Sequence, residues 1–217
     1  MQSSYDERFQ RDMGCTEAEW LRALPGAMGA CAWTQTAQAI DAEVPPGRLR
    51  IEWREGASFP YLGADLRLQF DVGSTGVTVC RDAGDARDRA GVLRLGVGTP
   101  LEGDRLRDLV HGWLQEEARR VFAERVALYA PMLGVQVSRI SLSSARTRWG
   151  SASASGAIRL HWRLIHFSQD VIDYVVVHEL AHLREMNHSP RFWAVVGSVL
   201  PGFEEARQRL KHLSAPA

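Results

Sequence analysis

The 217-residue sequence predicts an α+β domain, and three observations carry this prediction. Segments between residues 48 and 97 alternate apolar and charged residues with a period of two, as half-buried strands do. Residues 104–130 place their apolar side chains on one stripe of a long helix. Beyond residue 170 the apolar spacing is helical again, with interruptions at Pro190 and Pro201. We therefore expect a small antiparallel sheet, built as a meander, that packs on helices.

The predicted elements follow from these periods one by one. Gly134 and Pro131 are expected to finish the long helix, which is the scaffold of the domain. Loops are predicted at 81–90 and at 146–156, where charged residues or serine and glycine replace the alternation. The predicted strands are 48–54, 64–70, 76–80, 92–97, 135–142 and 157–160.

The first 47 residues are predicted to be an N-terminal appendage to a domain that covers 48–217. The appendage contains one clear helix signal, "TEAEWLRAL", in which Thr16 and Glu19 form a capping box. It ends in "VPPG", a stiff segment of the kind that separates domains. No chemistry can be attached to this appendage from its sequence.

Composition and charge exclude several classes of partner. The 26 basic residues balance the 26 acidic ones, so no global charge indicates a nucleic-acid partner or an anionic membrane surface. The N-terminus lacks an apolar signal region, and no apolar run approaches the roughly 18 residues that span a bilayer. The three cysteines are odd in number and widely spaced, which fits reduced thiols better than disulfides. We expect a soluble cytoplasmic protein.

The segment "VVVHELAHLREMNH", residues 175–188, carries the strongest chemical signal. We expect a helix that begins near Ser168 or Asp170 and sets His178 and His182 one turn apart on one face. Two imidazoles at this spacing can share a metal ion. In such an H-E-x-x-H pattern Glu179 does not bind the metal but reaches a metal-bound water, whose proton it takes as general base.

A third ligand is needed, because zinc held by two ligands would be labile. His188 is separated from His182 by five residues, as in the H-E-x-x-H-x-x-G-x-x-H pattern. Glu185 replaces the glycine of that pattern, so we expect Asn187, which tolerates the left-handed conformation, to make the turn.

Histidines four residues apart on a helix are often just surface or core residues. Two features favour a metal site here: the apolar run "VIDYVVV" before His178, which would exclude water, and the third histidine at a ligand interval. The prediction is one zinc ion bound by His178, His182 and His188.

At this point the sequence resembles a known family. The similarity lies in the turn Arg148-Trp149-Gly150-Ser151, in "DYVVVHELAHL", and in "NHS..FW" at residues 187–193. Over roughly residues 60–215 the chain resembles the YgjP-like metallopeptidase domain, which is related to SprT-like and minimal gluzincin proteins. Ala152 stands where that family usually has cysteine, and His161 where asparagine is common.

The resemblance implies a zincin-like fold, in which a small antiparallel sheet packs on a long helix and the H-E-x-x-H helix. It implies a zinc metallopeptidase that hydrolyses peptide bonds, with Glu179 as the catalytic residue and a peptide or protein as substrate. An extended substrate could add to a sheet edge through main-chain hydrogen bonds. Arg148, His161 and Tyr174 are the predicted substrate-binding residues.

Two alternatives remain open. The same metal site could serve a nucleoside triphosphate phosphohydrolase, since guanidinium groups match phosphate oxygens. A three-histidine site favours zinc over magnesium, which tips the prediction towards peptides. A non-catalytic zinc module would need a fourth ligand, from His161, His166 or a carboxylate. The predicted phosphate contacts are Arg146, Arg148, Arg159 and Arg163.

Overall fold

The computed structural model confirms the α+β class and describes residues 51–71, 73, 76–81, 91–97, 101–145 and 148–212. The predicted appendage 1–47 and its helix signal, most of the 81–90 loop, and Arg146 lie outside the described residues. The strands are β1 (Ser58–Tyr61), β2 (Ala64–Asp71), β3 (Gly76–Arg81), β4 (Gly91–Gly96), β5 (Arg139–Ser143), β6 (Gly150–Ala152) and β7 (Ala157–His161). The helices are α1 (Gly103–Leu133), the 3-10 helix Trp162–His166, α2 (Gln169–Ala181), α3 (Pro190–Val199) and α4 (Phe203–His212).

The first sheet has the strand order β1-β2-β4-β3, and it is mixed where a purely antiparallel meander was predicted. β2 and β4 run parallel, with Leu68 opposite Leu93, whereas β1 and β3 are antiparallel to their neighbours. The reason is burial: Leu93 and Leu95 of β4 are completely buried, so β4 takes a central position beside β2, whose inward side chains Leu66 and Leu68 are almost completely buried. Of the antiparallel pair β3 and β4, β4 is therefore the inner strand and β3 the edge strand of the order given above.

The predicted strand 48–54 is wrong in its described part, since residues 51–54 form no strand. β1 takes its place and turns into β2 through Leu62 and Gly63, which both have positive φ, as a type I′ turn requires. The backbone N–H of Leu62 donates to the carbonyl of Ile165 at 2.8 Å. These contacts fasten the first sheet to the segment that leads into α2.

The second sheet has the order β5-β7-β6, with β5 parallel and β6 antiparallel to β7. Ile158 and Leu160 of β7 are fully buried, while Arg159 between them is exposed. One face of this sheet therefore packs on α1 and α2, and the other face meets solvent. β6 lies inside the segment 146–156 that was predicted to be a loop.

The long helix α1 agrees with the predicted scaffold and ends at Gly134, as expected, with a φ of 63° that makes a left-handed cap, whereas Pro131 lies inside its last turn. α1 is tied to α2 by a bidentate ion pair, in which the Arg125 Nε and Nη2 lie 2.5 and 2.8 Å from the Asp173 carboxylate oxygens. Tyr129 donates a third hydrogen bond to Asp173, at 3.1 Å. The scaffold thus holds the helix that bears the histidines.

α2 begins directly after Ser168, as predicted, and every residue from Val171 to Ala181 is buried. A helix that is apolar and buried all round is a core helix. The valine run therefore serves to place the ionisable side chains at its end inside the protein. None of the described helices is both long enough and apolar enough to cross a bilayer.

Candidate metal centre

Three imidazoles converge at the end of α2. The Nε2 atom of His178 lies 3.2 Å from the Nε2 of His182 and 3.1 Å from the Nε2 of His188. Tetrahedral zinc with Zn–N bonds of about 2.0–2.1 Å would hold its nitrogens about 3.3 Å apart. The separation of the three donors therefore fits a single ion.

The protonation of the histidines also suits a metal. The Nδ1–H of His182 donates to the carbonyl of Glu185 at 3.2 Å, which leaves the Nε2 lone pair to bind a metal ion. Burial lowers the pKa of His178 well below its usual range, and burial with the neighbouring His182 lowers the pKa of His188 to about 4. The imidazoles are therefore neutral at pH 7, as metal ligands must be.

The chain returns His188 to the other two histidines without the left-handed turn that was expected at Asn187. Among the described residues, the only non-glycine with positive φ is Leu62. α2 instead ends in a tight turn, where the N–H groups of Arg184 and Glu185 both donate to the carbonyl of Ala181 at 2.9 Å. A second reversal, between Asn187 and Ser189, completes the path.

Residues of α3 and its cap pack against the three histidines and hold them in place. Its cap is Ser189, whose hydroxyl accepts a hydrogen bond from the Phe192 N–H at 3.3 Å. Phe192 is fully buried, and its ring centroid lies within 4.6–4.8 Å of those of all three histidines. The "NHS..F" spacing thus provides a ligand, a helix cap and an apolar floor from one turn of chain.

Behind His188 lies a stack of rings that we call the aromatic column, formed by Trp193, Phe203 and Tyr174. Trp193 stacks on His188 at 5.8 Å and on Phe203 at 5.4 Å, and Phe203 stacks on Tyr174 at 6.2 Å. The guanidinium of Arg207 covers the Trp193 ring at 4.5 Å. Phe203 and Arg207 were not predicted to support the site, because they come from α4, whose only signal in the sequence was a helical apolar period.

Glu179 lies inside the protein beside Gly150 of β6. A Cβ atom at Gly150 would stand 2.8 Å from the Glu179 Cγ and Cδ, so a side chain there would displace the carboxylate. Burial raises the pKa of Glu179 to about 8, partly opposed by Arg148. Its Oε1 has no hydrogen-bond partner among the described residues. The absence of a side chain at Gly150, the glycine of the R-W-G-S turn, therefore leaves room for this carboxylate.

The predicted substrate-binding residues have different positions. Arg148 is exposed and close enough to lower the pKa of Glu179. His161 is buried; its Nδ1 accepts the Arg163 N–H at 3.1 Å, and its ring packs on Trp149. Tyr174 is fully buried in the aromatic column. Of the three, Arg148 alone has an exposed side chain.

The fourth ligand of a closed structural site is not found among the described residues. The only group there with the donors to hold a metal is His178, His182 and His188. His161 is engaged with Arg163, and the Nδ1–H of His166 donates to the carbonyl of Pro60 at 2.6 Å. Three protein ligands leave one position of a tetrahedral ion for another molecule.

An α+β domain in which a buried H-E-x-x-H helix and a later histidine gather three imidazoles beside a glutamate has the architecture of a metallopeptidase. The family model described as YgjP-like, metallopeptidase domain, matches residues 32–213, and the chain belongs to this family. The match begins upstream of residue 48, where the domain boundary was predicted. No curated protein sequence gives a significant match to the chain.

Two solved structures are similar to part of the chain. One is the metallopeptidase zymogen abylysin of Pyrococcus abyssi, with 24% identity and a TM-score of 0.37 over 44% of this chain and 92% of that one. The other is the metallopeptidase zymogen jannalysin of Methanocaldococcus jannaschii, with 18% identity and a TM-score of 0.37 over 44% of this chain and 94% of that one.

Proposed function

We propose that the protein is a zinc-dependent peptidase in which Glu179 is the general base. The observation that carries this proposal is the buried Glu179 carboxylate next to three converging, neutral imidazoles. His178, His182 and His188 would hold one zinc ion per chain. When bound, zinc polarises the scissile carbonyl and makes a coordinated water acidic.

The rest of the chemistry belongs to the chain. Glu179 takes the proton of the attacking water and passes it to the leaving amine. Burial suits it to both steps, because a pKa raised to about 8 keeps the protonated and ionised carboxyl close in free energy near neutral pH. A zinc ion held by the three histidines would favour the ionised form of Glu179, which is the form that accepts a proton.

The substrate is proposed to lie along β6, the edge strand that runs over Glu179. Among the described strands β6 pairs with β7 alone, so its other side can accept an extended polypeptide. Exposed Arg148 precedes this edge and can contact the substrate near Glu179. Since His161 and Tyr174 are buried, we assign them to the support of Trp149 and His178, respectively.

The structure gives less support to the nucleotide alternative than to the peptidase. Arg159 lies on the solvent face of the second sheet, opposite the face that packs on α2. Arg163 lies over the ring of Trp162 at 5.3 Å. Among the described arginines that were predicted to bind phosphate, Arg148 is the one close enough to lower the pKa of Glu179.

The test compares wild-type protein with Glu179→Gln, and measures zinc content together with hydrolysis of casein and of nucleoside triphosphates. We expect one zinc per chain in both proteins, casein cleavage by wild type, and a loss of about 100-fold or more in the variant. Glu102→Gln, which makes the same change on an exposed carboxylate, should cleave normally.

Phosphate release that depends on Glu179, without casein cleavage, would assign the site to nucleotides. Bound zinc with neither activity would favour the non-catalytic module. A cytoplasmic location stays a prediction, which fractionation of cells would test.

A further inference from the structure

The second sheet belongs to a stretch of chain that has no carboxylate. Between Glu124 and Asp170 the sequence contains six arginines and not one aspartate or glutamate. β5, β6 and β7 all lie in this stretch. Although the whole chain is neutral, this sheet is therefore positively charged.

Two of these arginines share the solvent face of the sheet with three serines. Ser141 of β5 and Ser151 of β6 lie on either side of Arg159 of β7, and Arg139 lies opposite Ala157. The neighbours of Arg159 in β7 are buried, so this row points away from the core. It lines a groove of about 240 Å³, whose lining also includes Ser153, Ala152 and Ala157.

The charge of the groove is not neutralised within the described part of the chain. Neither Arg139 nor Arg159 forms an ion pair with a described carboxylate, and no acidic residue lines the groove. Guanidinium and hydroxyl donors around a concave space match the acceptors of carboxylate and phosphate groups. The groove therefore has the donor set of an oxyanion site.

The groove adjoins the proposed active site across a single strand. Gly150 lies against Glu179 on the inner side of β6, and Ser151, the next residue, faces the groove. A polypeptide added to the β6 edge would direct every second side chain to the solvent face of the sheet. Side chains of the substrate near the cleaved bond would thus reach Ser151 and Arg159.

We propose that this groove is an exosite, in which Arg139 and Arg159 bind carboxylate or phosphate groups of an acidic segment of the polypeptide substrate. The proposal rests on the proposed peptidase function. A groove of this size accepts single oxyanion groups, and the described residues that line it include no aromatic ring on which a base could stack. These features favour an acidic polypeptide over a nucleic acid.

The test measures binding without turnover, in the zinc-loaded Glu179→Gln protein. Three fluorescent peptides of equal length carry a cluster of glutamate, of glutamine or of phosphoserine, and fluorescence anisotropy gives their Kd values. We expect the glutamate and phosphoserine peptides to bind at least about tenfold more tightly than the glutamine peptide at low salt. The double substitution Arg139→Gln with Arg159→Gln should abolish this preference.

A matched control is Arg94→Gln with Arg105→Gln. It removes the same charge from two exposed arginines that form no ion pair with described residues and lie outside the second sheet. This control should keep the full preference for acidic peptides. Circular dichroism would check that both double variants fold.

Equal losses in the two double variants would overturn the exosite, because the preference would then come from net charge. Equal binding of the glutamate and glutamine peptides would overturn it too. So would a single-stranded oligonucleotide that binds more tightly than the acidic peptides with the same dependence on Arg139 and Arg159. Arginine-dependent peptide binding in a protein whose wild type cleaves no polypeptide would support the exosite and overturn the proposed function.

Discussion

The three histidines of the metal centre are held in two different ways. His178 lies on α2 and His182 is the C-cap residue of the same helix, one turn later, and this helix is buried on every side from Val171 onward. His188 lies between α2 and α3, and its ring is held by contacts with Phe192 and Trp193. Helix geometry therefore fixes two ligands, whereas side-chain packing fixes the third.

This difference separates the stability of the domain from the quality of the site. The contacts that hold α2, such as the ion pair between Asp173 of α2 and Arg125 of α1, also join the helices of the core. The supports of His188 belong to a short segment and to the aromatic column. Changes on the helix side should thus reduce folding stability first, and changes on the other side should reduce metal affinity first.

The largest contrast is expected between His178→Ala and His188→Ala. Each removes a ligand, so zinc affinity should fall by more than the 10–100-fold typical of outer-shell changes. His178 is fully buried, so its loss also leaves a cavity that lowers the free energy of unfolding of the zinc-free protein by about 2 kcal/mol. His188 is only half-buried, and its loss should leave that free energy nearly unchanged.

Chelator competition would give the zinc affinities, and urea unfolding of the metal-free variants would give the stabilities. His212→Ala, which changes an exposed histidine of α4, is the control for both measurements. Equal destabilisation by the two alanine variants would show that His188 is as much a part of the core as His178.

A smaller effect, confined to the helix side, is expected from Asp173→Asn. The substitution leaves Arg125 facing a neutral group in a nearly buried pair, which costs about 3 kcal/mol of unfolding free energy. The folded fraction should still bind zinc with nearly unchanged affinity, since the side chain of Asp173 hydrogen-bonds to Arg125 and Tyr129 and not to a metal-binding histidine. Urea unfolding and zinc titration below the transition would test both statements.

Tyr129→Phe is the matched control for that prediction. It removes one hydrogen bond to Asp173 and keeps the ion pair, so we expect a cost of about 1 kcal/mol. If Asp173→Asn weakened zinc binding as strongly as stability, the proposed separation of the two sides would be wrong.

The same division explains how much of the site the sequence could predict. The spacing of His178 and His182 and the start of α2 near Ser168 are local properties, and both predictions agree with the structure. The convergence of His188 with them was predicted from an interval, and the structure brings the three together. The left-handed turn predicted at Asn187 is not formed, because hydrogen bonds to Ala181 reverse the chain first and a second reversal between Asn187 and Ser189 needs no positive φ.

The parts that could not be predicted depend on contacts distant in sequence. The parallel pairing of β2 with β4 follows from competition for the buried centre of the sheet, which no local period records. β1 contains Pro60 and is short, so it left no alternation to read. Arg207 and Phe203 meet Trp193 only after α4 has packed on α2.

The smallest expected effect concerns this distant support, through Trp193→Leu. Leucine keeps an apolar side chain at the position but loses the ring that stacks on His188 and Phe203. His188 would then sample other rotamers, and zinc affinity should fall by about 10–100-fold. Zinc affinity, measured by chelator competition, should change more than the midpoint of urea unfolding of the metal-free protein.

Two companion variants sharpen this prediction. Trp193→Phe retains an aromatic ring and should restore most of the affinity. Arg207→Lys keeps the charge but loses the planar group over Trp193, so its affinity should lie between those of wild type and Trp193→Leu. Cobalt in place of zinc would report the same order in its visible absorption, which responds to ligand geometry. If Trp193→Leu bound zinc like wild type, the aromatic column would serve only the packing of α3 and α4, and His188 would owe its position to Phe192 and the Ser189 cap.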